Sequence, residues 1–199
     1  MRLPTILAAA LCAAALSACA TGTGPDAARD FDSFAGQSDL RAYEAVYVAP
    51  ATAGEDVARR VGYNPVGATD RTRPIGEREL ARQLEELTEA LERRLGEVVR
   101  LAPAPGPGVL TIETELTALA ANRPTQAEVA ATPSLDFRSI SVGDAGVRMT
   151  LSENGRTLAT LEDRAFRRNL NDPGIGVGIW NTADRFYDRL SRKVAALLR

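Results

Sequence analysis

The sequence predicts an α+β fold: a two-layer sandwich with a mixed sheet of about five strands and two main helices on one face. Three observations lead to this prediction. Two long segments repeat apolar residues with the period of a helix, and several shorter segments alternate apolar and polar residues. Their order along the chain is strand, helix, four strands, helix, within a single domain expected over residues 39–199. The first strand–helix–strand unit should form a right-handed parallel crossover, and the later strands should pair antiparallel.

The first strand and the first helix open this domain. A β-rich run at residues 45–48 ends before Pro50 and is the predicted first strand. Residues 51–74 show no sustained period, so we expect a loop with one helical turn near residues 55–60. The helix that follows ends near Gly96, since glycine is common just past a helix C-terminus. Its predicted buried stripe consists of Leu80, Leu84, Leu87, Leu91 and Leu95.

Four further strands and a second helix complete the predicted domain. Strands are expected at residues 98–101 and 109–120, followed by a long loop over residues 122–143. Asn154-Gly155 then separates two alternating runs, the strongest local signal for a hairpin with a type I′ turn. This hairpin should pair Leu151 with Leu158.

The last helix is predicted to begin after Trp180, with Asn181 or Thr182 as its N-cap. Its apolar residues recur at helical spacing and should face the sheet. They are Trp180, Ala183, Phe186, Tyr187, Leu190, Val194 and Leu197.

The start of the chain has the parts of a secretory signal peptide: Arg2, a short apolar run and then small residues. The run is too short to span a bilayer, which takes about 20 apolar residues. It closes on Leu16-Ser17-Ala18-Cys19, which resembles the lipobox of bacterial lipoproteins. The resemblance implies a signal peptide at residues 1–18, cleavage before Cys19, and acylation of that cysteine with diacylglyceryl and fatty-acyl groups such as palmitate.

Residues 19–38 are predicted to be the lipidated cysteine and a flexible tether, because they are small, polar and glycine-containing. Phe31 and Phe34 are unusual in a linker, and we expect them to dock against the edge of the domain. A single acyl chain binds a membrane only marginally, whereas a lipobox cysteine carries two or three. Ala20 stands where lipoproteins of the inner membrane often carry Asp. This resemblance favours the periplasmic face of the outer membrane.

Composition excludes several kinds of chemistry. The 199 residues contain no histidine, and the only cysteines are Cys19 and Cys12, which lies in the predicted signal peptide. Histidine general bases, Ser-His-Asp triads, free cysteine nucleophiles and His- or Cys-ligated zinc are therefore not expected. Without Arg2 the chain has 23 basic and 26 acidic residues, a net charge of −3. This balance argues against a nucleic-acid partner, and no cofactor or metal is predicted.

A glycine-rich segment before the last helix is the candidate contact site. Gly174, Gly176 and Gly178 precede Trp180, and this segment is expected to be either a flexible connector or an apolar flap that faces a lipid or a partner. The segment leads into a helix N-terminus, as phosphate-binding loops do. However, it has Ile179 in place of the last glycine of G-x-G-x-x-G and no Lys-Ser/Thr ending, so phosphate binding is not favoured.

Two charged groups are further candidates. Glu113 and Glu115 share one strand face, and paired carboxylates catalyse hydrolysis in glycosidases. The outer face of a strand is usually only solvated, so catalysis there is not favoured. Asp163 with Arg164, Arg167 and Arg168 is expected to form a charged rim after the hairpin.

With these elements in place, the chain resembles a family of predicted bacterial lipoproteins known only as a domain of unknown function. The matching features cover most of the mature chain. They are Leu-Ser-Ala-Cys19, the strand ending at Pro50, the leucine-rich helix, the Pro-Gly-Pro-Gly-Val-Leu segment at 105–110, the late hairpin and Trp180. The resemblance implies no catalytic residues.

The leading functional hypothesis is a non-enzymatic, lipid-anchored envelope protein that binds a protein partner or supports an envelope complex. It depends on the lipobox, the tether and the absence of common catalytic residue types. The alternative is a module that binds a small molecule or a lipid through the two long loops and the glycine-rich flap. The third hypothesis is a hydrolase that uses Asp or Glu.

Overall fold

The computed structural model describes residues 26–37, 39–62, 73–132, 134–136, 141–166 and 178–199. A 3₁₀ helix, Asp26–Asp30, comes first. The strands are β1 Ser33–Gly36, β2 Ala45–Val48, β3 Thr52–Ala53, β4 Arg100–Leu101, β5 Val109–Ala120, β6 Asp144–Glu153 and β7 Arg156–Phe166. The α-helices are α1 Glu55–Ala58, α2 Glu77–Leu95, α3 Gln126–Ala131 and α4 Asn181–Ala196.

The described strands form one mixed sheet in the order β1-β7-β6-β5-β2-β4, with β3 pairing beside β5. Strand β2 runs parallel to both β4 and β5, while β5, β6, β7 and β1 pair antiparallel. The predicted fold class, a two-layer α+β sandwich with a mixed sheet, is confirmed. Strands β1 and β3 are additions to the predicted five, and α1 lies where a single helical turn was expected.

One hydrophobic core lies between the sheet and the two long helices, which also pack against each other. Leu87, Leu91 and Leu95 of the predicted stripe are fully buried, and Leu80 nearly so. Burying a leucine side chain stabilises a fold by about 1.5–3 kcal/mol. The predicted apolar face of α4 is likewise buried from Trp180 to Leu197, so both helices use the faces that their periodicity indicated.

The hairpin has the predicted turn but a different register. Asn154 and Gly155 have φ of +49° and +76°, the positive values that a type I′ turn requires. Leu151 lies opposite Ala159 and not Leu158, because the register shifts by one residue just after the turn. Leu158 and Ala159 are both buried although they are neighbours. A β-bulge at Leu158 explains this, since an extra residue interrupts the alternation.

A short helix lies within the segment predicted as the loop 122–143. Helix α3 begins after Thr125, whose hydroxyl accepts the Glu128 N–H at 3.2 Å while the Glu128 carboxylate accepts the Thr125 N–H at 2.9 Å. This reciprocal pair is a capping box. The Thr-x-x-Glu sequence is its signature, but the six residues of helix that follow are too few to show a helical period.

The structure includes much of the predicted tether in the folded domain. From Asp26 onward the chain forms the 3₁₀ helix and then β1, which pairs with β7. Phe31 is only 7% exposed, and its ring centroid lies 6.3 Å from that of Phe34. The prediction that both rings dock at the domain edge is confirmed. Strand β1 also covers an edge of β7 that would otherwise expose unpaired backbone groups.

Candidate functional site

The predicted contact residues are only partly described. Cys19, Gly174 and Gly176 lie outside the described residues. Gly178 is exposed, whereas the Trp180 side chain is buried at the start of α4. Between them the side chain of Ile179 is 41% exposed. The segment thus presents an apolar side chain to solvent directly beside a buried indole.

Asn122, at the end of β5, holds this segment in place. Its backbone N–H donates to the Ile179 carbonyl at 2.7 Å, and its side-chain Oδ1 accepts the Thr182 N–H at 2.8 Å. Trp180 occupies the N-cap position of α4 and makes no side-chain cap bond, so the predicted caps Asn181 and Thr182 are wrong. An oxygen from a residue sixty positions earlier satisfies a free N–H of the first turn instead. No local pattern indicates such a cap.

Gly143 allows the loop before β6 to approach this junction closely. A Cβ there would lie 2.5 Å from the Thr182 hydroxyl and 2.6 Å from Asn122 Oδ1. Ser141 adds two bonds: its N–H donates to the Asn122 carbonyl at 2.8 Å, and its hydroxyl donates to the Ala121 carbonyl at 2.6 Å. We call Asn122, Ser141, Gly143, Trp180 and Thr182 the polar junction. It joins β5, the loop before β6 and the start of α4.

Two buried polar atoms at the polar junction, Asn122 Nδ2 and Thr182 Oγ1, have no hydrogen-bond partner in the described chain. The same is true of Nε of Arg123, the residue after Asn122. Asn122 and Thr182 are 0% and 2% exposed. Buried atoms of this kind are usually satisfied by ordered water, so the junction offers polar groups that the protein itself does not use.

Two buried charged side chains, Arg60 and Glu128, lie near the end of β5. The Arg60 side chain donates to the carbonyls of Arg73, at 2.7 Å, and Leu119. Burial lowers the pKa of Arg60 and raises the pKa of Glu128; nearby arginines and the Thr125 N–H oppose the rise at Glu128. Since Arg60 binds backbone carbonyls and Glu128 caps α3, both charges have structural roles.

The two glutamates considered for catalysis lie on the solvent side of the sheet. Glu113 is exposed. Glu115 and Glu162 flank Arg148, whose guanidinium lies 3.4 Å from the Glu115 carboxylate and 2.9 Å from the Glu162 carboxylate. These three side chains form an ion-pair ladder across β5, β6 and β7. The arrangement is that of a solvated sheet face.

The charged rim predicted after the hairpin divides between the two faces of β7. Arg164 points outward and pairs with Asp144, its Nε at 2.9 Å from Oδ1. Asp163 points inward, is 3% exposed and lies 2.7 Å from the Lys193 ammonium. Successive strand residues face opposite sides of a sheet, so the two cannot form one cluster. Arg167 and Arg168 lie outside the described residues.

The described residues contain neither a metal-binding cluster nor a membrane-spanning helix. Within these ranges no group of three or more His, Cys, Asp or Glu side chains is arranged to hold a metal ion. None of the helices in the described part of the chain combines the length and hydropathy that crossing a bilayer requires.

Solved structures that resemble this chain include the following three, each at 10% sequence identity. The PelC dodecamer of Paraburkholderia phytofirmans matches over 82% of this chain and 95% of its own, with a TM-score of 0.42. Protein XCC0632 of Xanthomonas campestris, from family DUF330, matches over 79% and 86%, with a TM-score of 0.45. A minor lipoprotein of Acinetobacter baumannii matches over 77% and 94%, with a TM-score of 0.34.

No curated protein matches the chain significantly. A family model does, over residues 26–171, which include every described strand and helices α1 to α3. Its description agrees with the predicted resemblance to a family without an assigned activity. The chain therefore belongs to the family DUF3313, proteins of unknown function.

Proposed function

We propose that this protein is a non-catalytic lipoprotein, anchored through acylated Cys19 at the periplasmic face of the outer membrane, that binds a protein partner of the cell envelope. The observation that carries the partner-binding part is the exposed Ile179 on a turn held by the polar junction. Leu101 and Ile179 are the exposed large apolar side chains among the described residues.

The turn suits recognition because contacts hold the backbone at Ile179 and the side chain of Trp180 that follows it. Asn122 binds the Ile179 carbonyl, and the buried Trp180 ring anchors the next residue. An apolar side chain on a preorganised turn loses little conformational entropy when a partner covers it. Loops supported by a rigid scaffold commonly carry binding residues. Ile179 would therefore serve as the apolar anchor of the contact.

The non-catalytic part of the proposal is supported by what the buried charges do. The carboxylate of Glu128, whose pKa is raised, accepts the Thr125 N–H. The Arg60 guanidinium donates to backbone carbonyls. The solvent-side carboxylates Glu115 and Glu162 pair with Arg148. Each of these charged groups thus has a structural partner that accounts for its position.

Photo-crosslinking in native envelopes tests the partner contact. A photoreactive amino acid at Gly178 fits sterically, because a Cβ there meets nothing closer than 3.8 Å. We expect one product of defined mass from Gly178, and its loss when Ile179→Asp is added. The same amino acid at Thr160, exposed on the open sheet face, is the matched control. Equal products from both positions, or a product unaffected by Ile179→Asp, would contradict the contact.

Flotation of envelopes and the mass of the N-terminal peptide test the anchor. We expect the mature protein to float with membranes and to begin at a Cys19 that carries the mass of a diacylglyceryl and an acyl group. Cys19→Ser should leave the protein without the added mass. A floating protein with an unmodified Cys19 would contradict lipidation.

A further inference from the structure

We propose that the exposed side of α4 is a membrane-docking surface whose arginines contact anionic phospholipid headgroups of the bilayer that holds the Cys19 acyl chains. This inference rests on the proposed lipid anchor and adds an orientation to it. The surface consists of Arg185, Arg189 and Arg192, and we call it the arginine stripe.

The arginine stripe follows from helical spacing. Its members are four and then three positions apart, so they lie on one side of α4, and all three are exposed. Arg189 stacks over the Phe186 ring, with 5.4 Å between Cζ and the ring centroid, and Arg192 lies 2.9 Å from the Asp188 carboxylate. A guanidinium has five N–H donors, so both can contact a phosphate while keeping these partners.

The two long helices, which lie side by side, differ in charge. Helix α4 carries three arginines and one lysine against two aspartates. Helix α2 carries six glutamates against four arginines. Asp188 lies on the side of α4 nearer α2, 3.9 Å from Arg94. An anionic surface therefore attracts the outer side of α4 and repels the outer side of α2. This difference determines the orientation of the domain relative to the bilayer.

The N-terminal segment that follows the predicted anchor packs beside the arginine stripe. The 3₁₀ helix packs against α4, where the Lys193 ammonium donates to the Asp30 carbonyl at 2.5 Å and lies 5.4 Å from the Phe31 ring centroid. Lys193 follows Arg192 directly. The first described residues of the chain therefore lie on the side of the domain that carries the arginine stripe.

The length of chain before Asp26 keeps the domain close to the bilayer. Cys19 precedes Asp26 by seven residues, which span at most about 25 Å when fully extended. Attraction between exposed charges decays over about 10 Å at 0.1 M salt. A surface beside the point of attachment falls within that distance far more often than one on the opposite side. Basic residues next to a membrane anchor are an established second signal for binding anionic lipid.

Energy transfer from the protein to labelled lipid headgroups tests the orientation. The mature protein, purified with its lipid from envelopes, is reconstituted in vesicles of phosphatidylcholine with about one-third phosphatidylglycerol, or of phosphatidylcholine alone. A dye is placed through Ala196→Cys, on the stripe side of α4, or through Ala81→Cys, on the outer side of α2. Both alanines are exposed, and an acylated Cys19 does not react with the dye.

We expect energy transfer from position 196 to exceed that from position 81 only in the anionic vesicles, and about 0.5 M salt to remove the difference. Replacing the three stripe arginines with Gln should abolish it. The matched control replaces Arg78, Arg82 and Arg93 of α2 with Gln and should leave the difference intact. Circular dichroism melting checks that both triple variants fold.

The outcomes separate the two proposals. Vesicles that carry the protein but give equal transfer from both positions would overturn the docking surface and leave the lipid anchor standing. A difference that survives replacement of the stripe arginines, or appears equally in neutral vesicles, would also overturn it. A protein that fails to float with vesicles of either composition would contradict the anchor and, with it, the orientation.

Discussion

Helices α2 and α4 pack side by side on the same sheet, yet they are held in different ways. Both helices bury an apolar face in the core, but α2 is capped by its own residues: the Glu79 carboxylate accepts the Gly76 N–H at 3.0 Å, and acidic residues begin the helix while Arg93 and Arg94 end it. Helix α4 has no side-chain cap of its own. Its first turn depends on Asn122, and its last turns depend on the contacts of Lys193.

The difference shows that two helices of similar amphipathicity can depend on their surroundings to different degrees. Removing the bond between Glu79 and Gly76 affects only neighbours along α2. Removing a contact of α4 releases β5, β7 or the 3₁₀ helix, because its partners lie 30 to 163 positions away in the chain. Substitutions that break distant contacts should therefore destabilise the protein more than matched substitutions in α2.

The largest effect is expected at the C-terminal end of α4. Lys193→Met leaves the Asp163 carboxylate, 3% exposed, buried without its ammonium partner. Breaking one side of a buried ion pair costs about 3–5 kcal/mol of unfolding free energy. Urea denaturation measures this loss. The matched change Arg82→Met in α2 removes an exposed pair with Glu86 and should cost less than about 1 kcal/mol.

The double variant Lys193→Met with Asp163→Leu sharpens the result, because it removes both charges and should recover most of the loss. If Lys193→Met were no more destabilising than Arg82→Met, the buried pair would not secure the end of α4.

A smaller effect is expected at the N-terminal end of α4. Asn122→Ala removes the oxygen that accepts the Thr182 N–H and should cost about 1–2 kcal/mol. Hydrogen exchange should quicken first in the opening turn of α4. Glu79→Ala is the counterpart in α2 and should cost about 0.5 kcal/mol, because the Glu79 carboxylate caps a partly exposed turn of its own helix. Equal costs would remove the distinction between the two helix starts.

The start of α3 combines features of both helices, since its cap is local, as in α2, but buried. Burial raises the pKa of Glu128 above its ordinary value of 4.5. The folded state therefore binds the Glu128 proton more tightly than the unfolded state does. The free energy of unfolding gains a contribution from Glu128 as the pH falls towards 4.5 from above, and loses that contribution as the pH rises through the folded-state pKa. Glu128→Gln retains a capping side chain without the charge.

We expect Glu128→Gln to be at least as stable as the parent protein at pH 8, with its relative advantage shrinking towards pH 5. Urea midpoints across this range measure the trend. A relative stability of the variant that increased as the pH was lowered would contradict the raised pKa.

The smallest effects are expected on the outer faces of the two helices. Arg192→Gln removes an exposed i,i+4 pair with Asp188 at 2.9 Å, and Arg82→Gln removes the similar pair with Glu86 at 3.2 Å. Each should change the unfolding free energy by about 0.3–0.5 kcal/mol. Thermal melting checks that the two are equal within error. A large loss at Arg192 would mean that the arginine stripe has a structural role in the folded domain.

Elements with strong local patterns could be predicted from the sequence. The leucine stripe of α2, the apolar face of α4 and the Asn154-Gly155 turn all have the predicted structure. Periodicity identifies these elements because each buries one continuous face against the core. The same reasoning could have found α3 from its Thr-x-x-Glu capping box.

The polar junction was not predictable in the same way. Its closest contacts join Asn122, Gly143 and Thr182, which come from three separate segments. The sequence indicated Trp180 as a contact residue beside the glycine-rich segment, but the structure buries Trp180 and exposes Ile179. The sequence does not predict the bulge at Leu158, because Leu158 and Ala159 are adjacent and both become buried only when β7 pairs with β6.

The sequence alone determined which faces of the helices are apolar, where the hairpin turns, and which catalytic residue types are missing, because these depend on residue identity and on contacts between near neighbours. The tertiary structure decided how α4 is capped, how far the N-terminal segment folds onto the sheet, and that Asp163 and Arg164 face opposite sides. These features depend on groups distant in the chain, and a hydrogen bond or ion pair between such groups forms only after the core has brought them together.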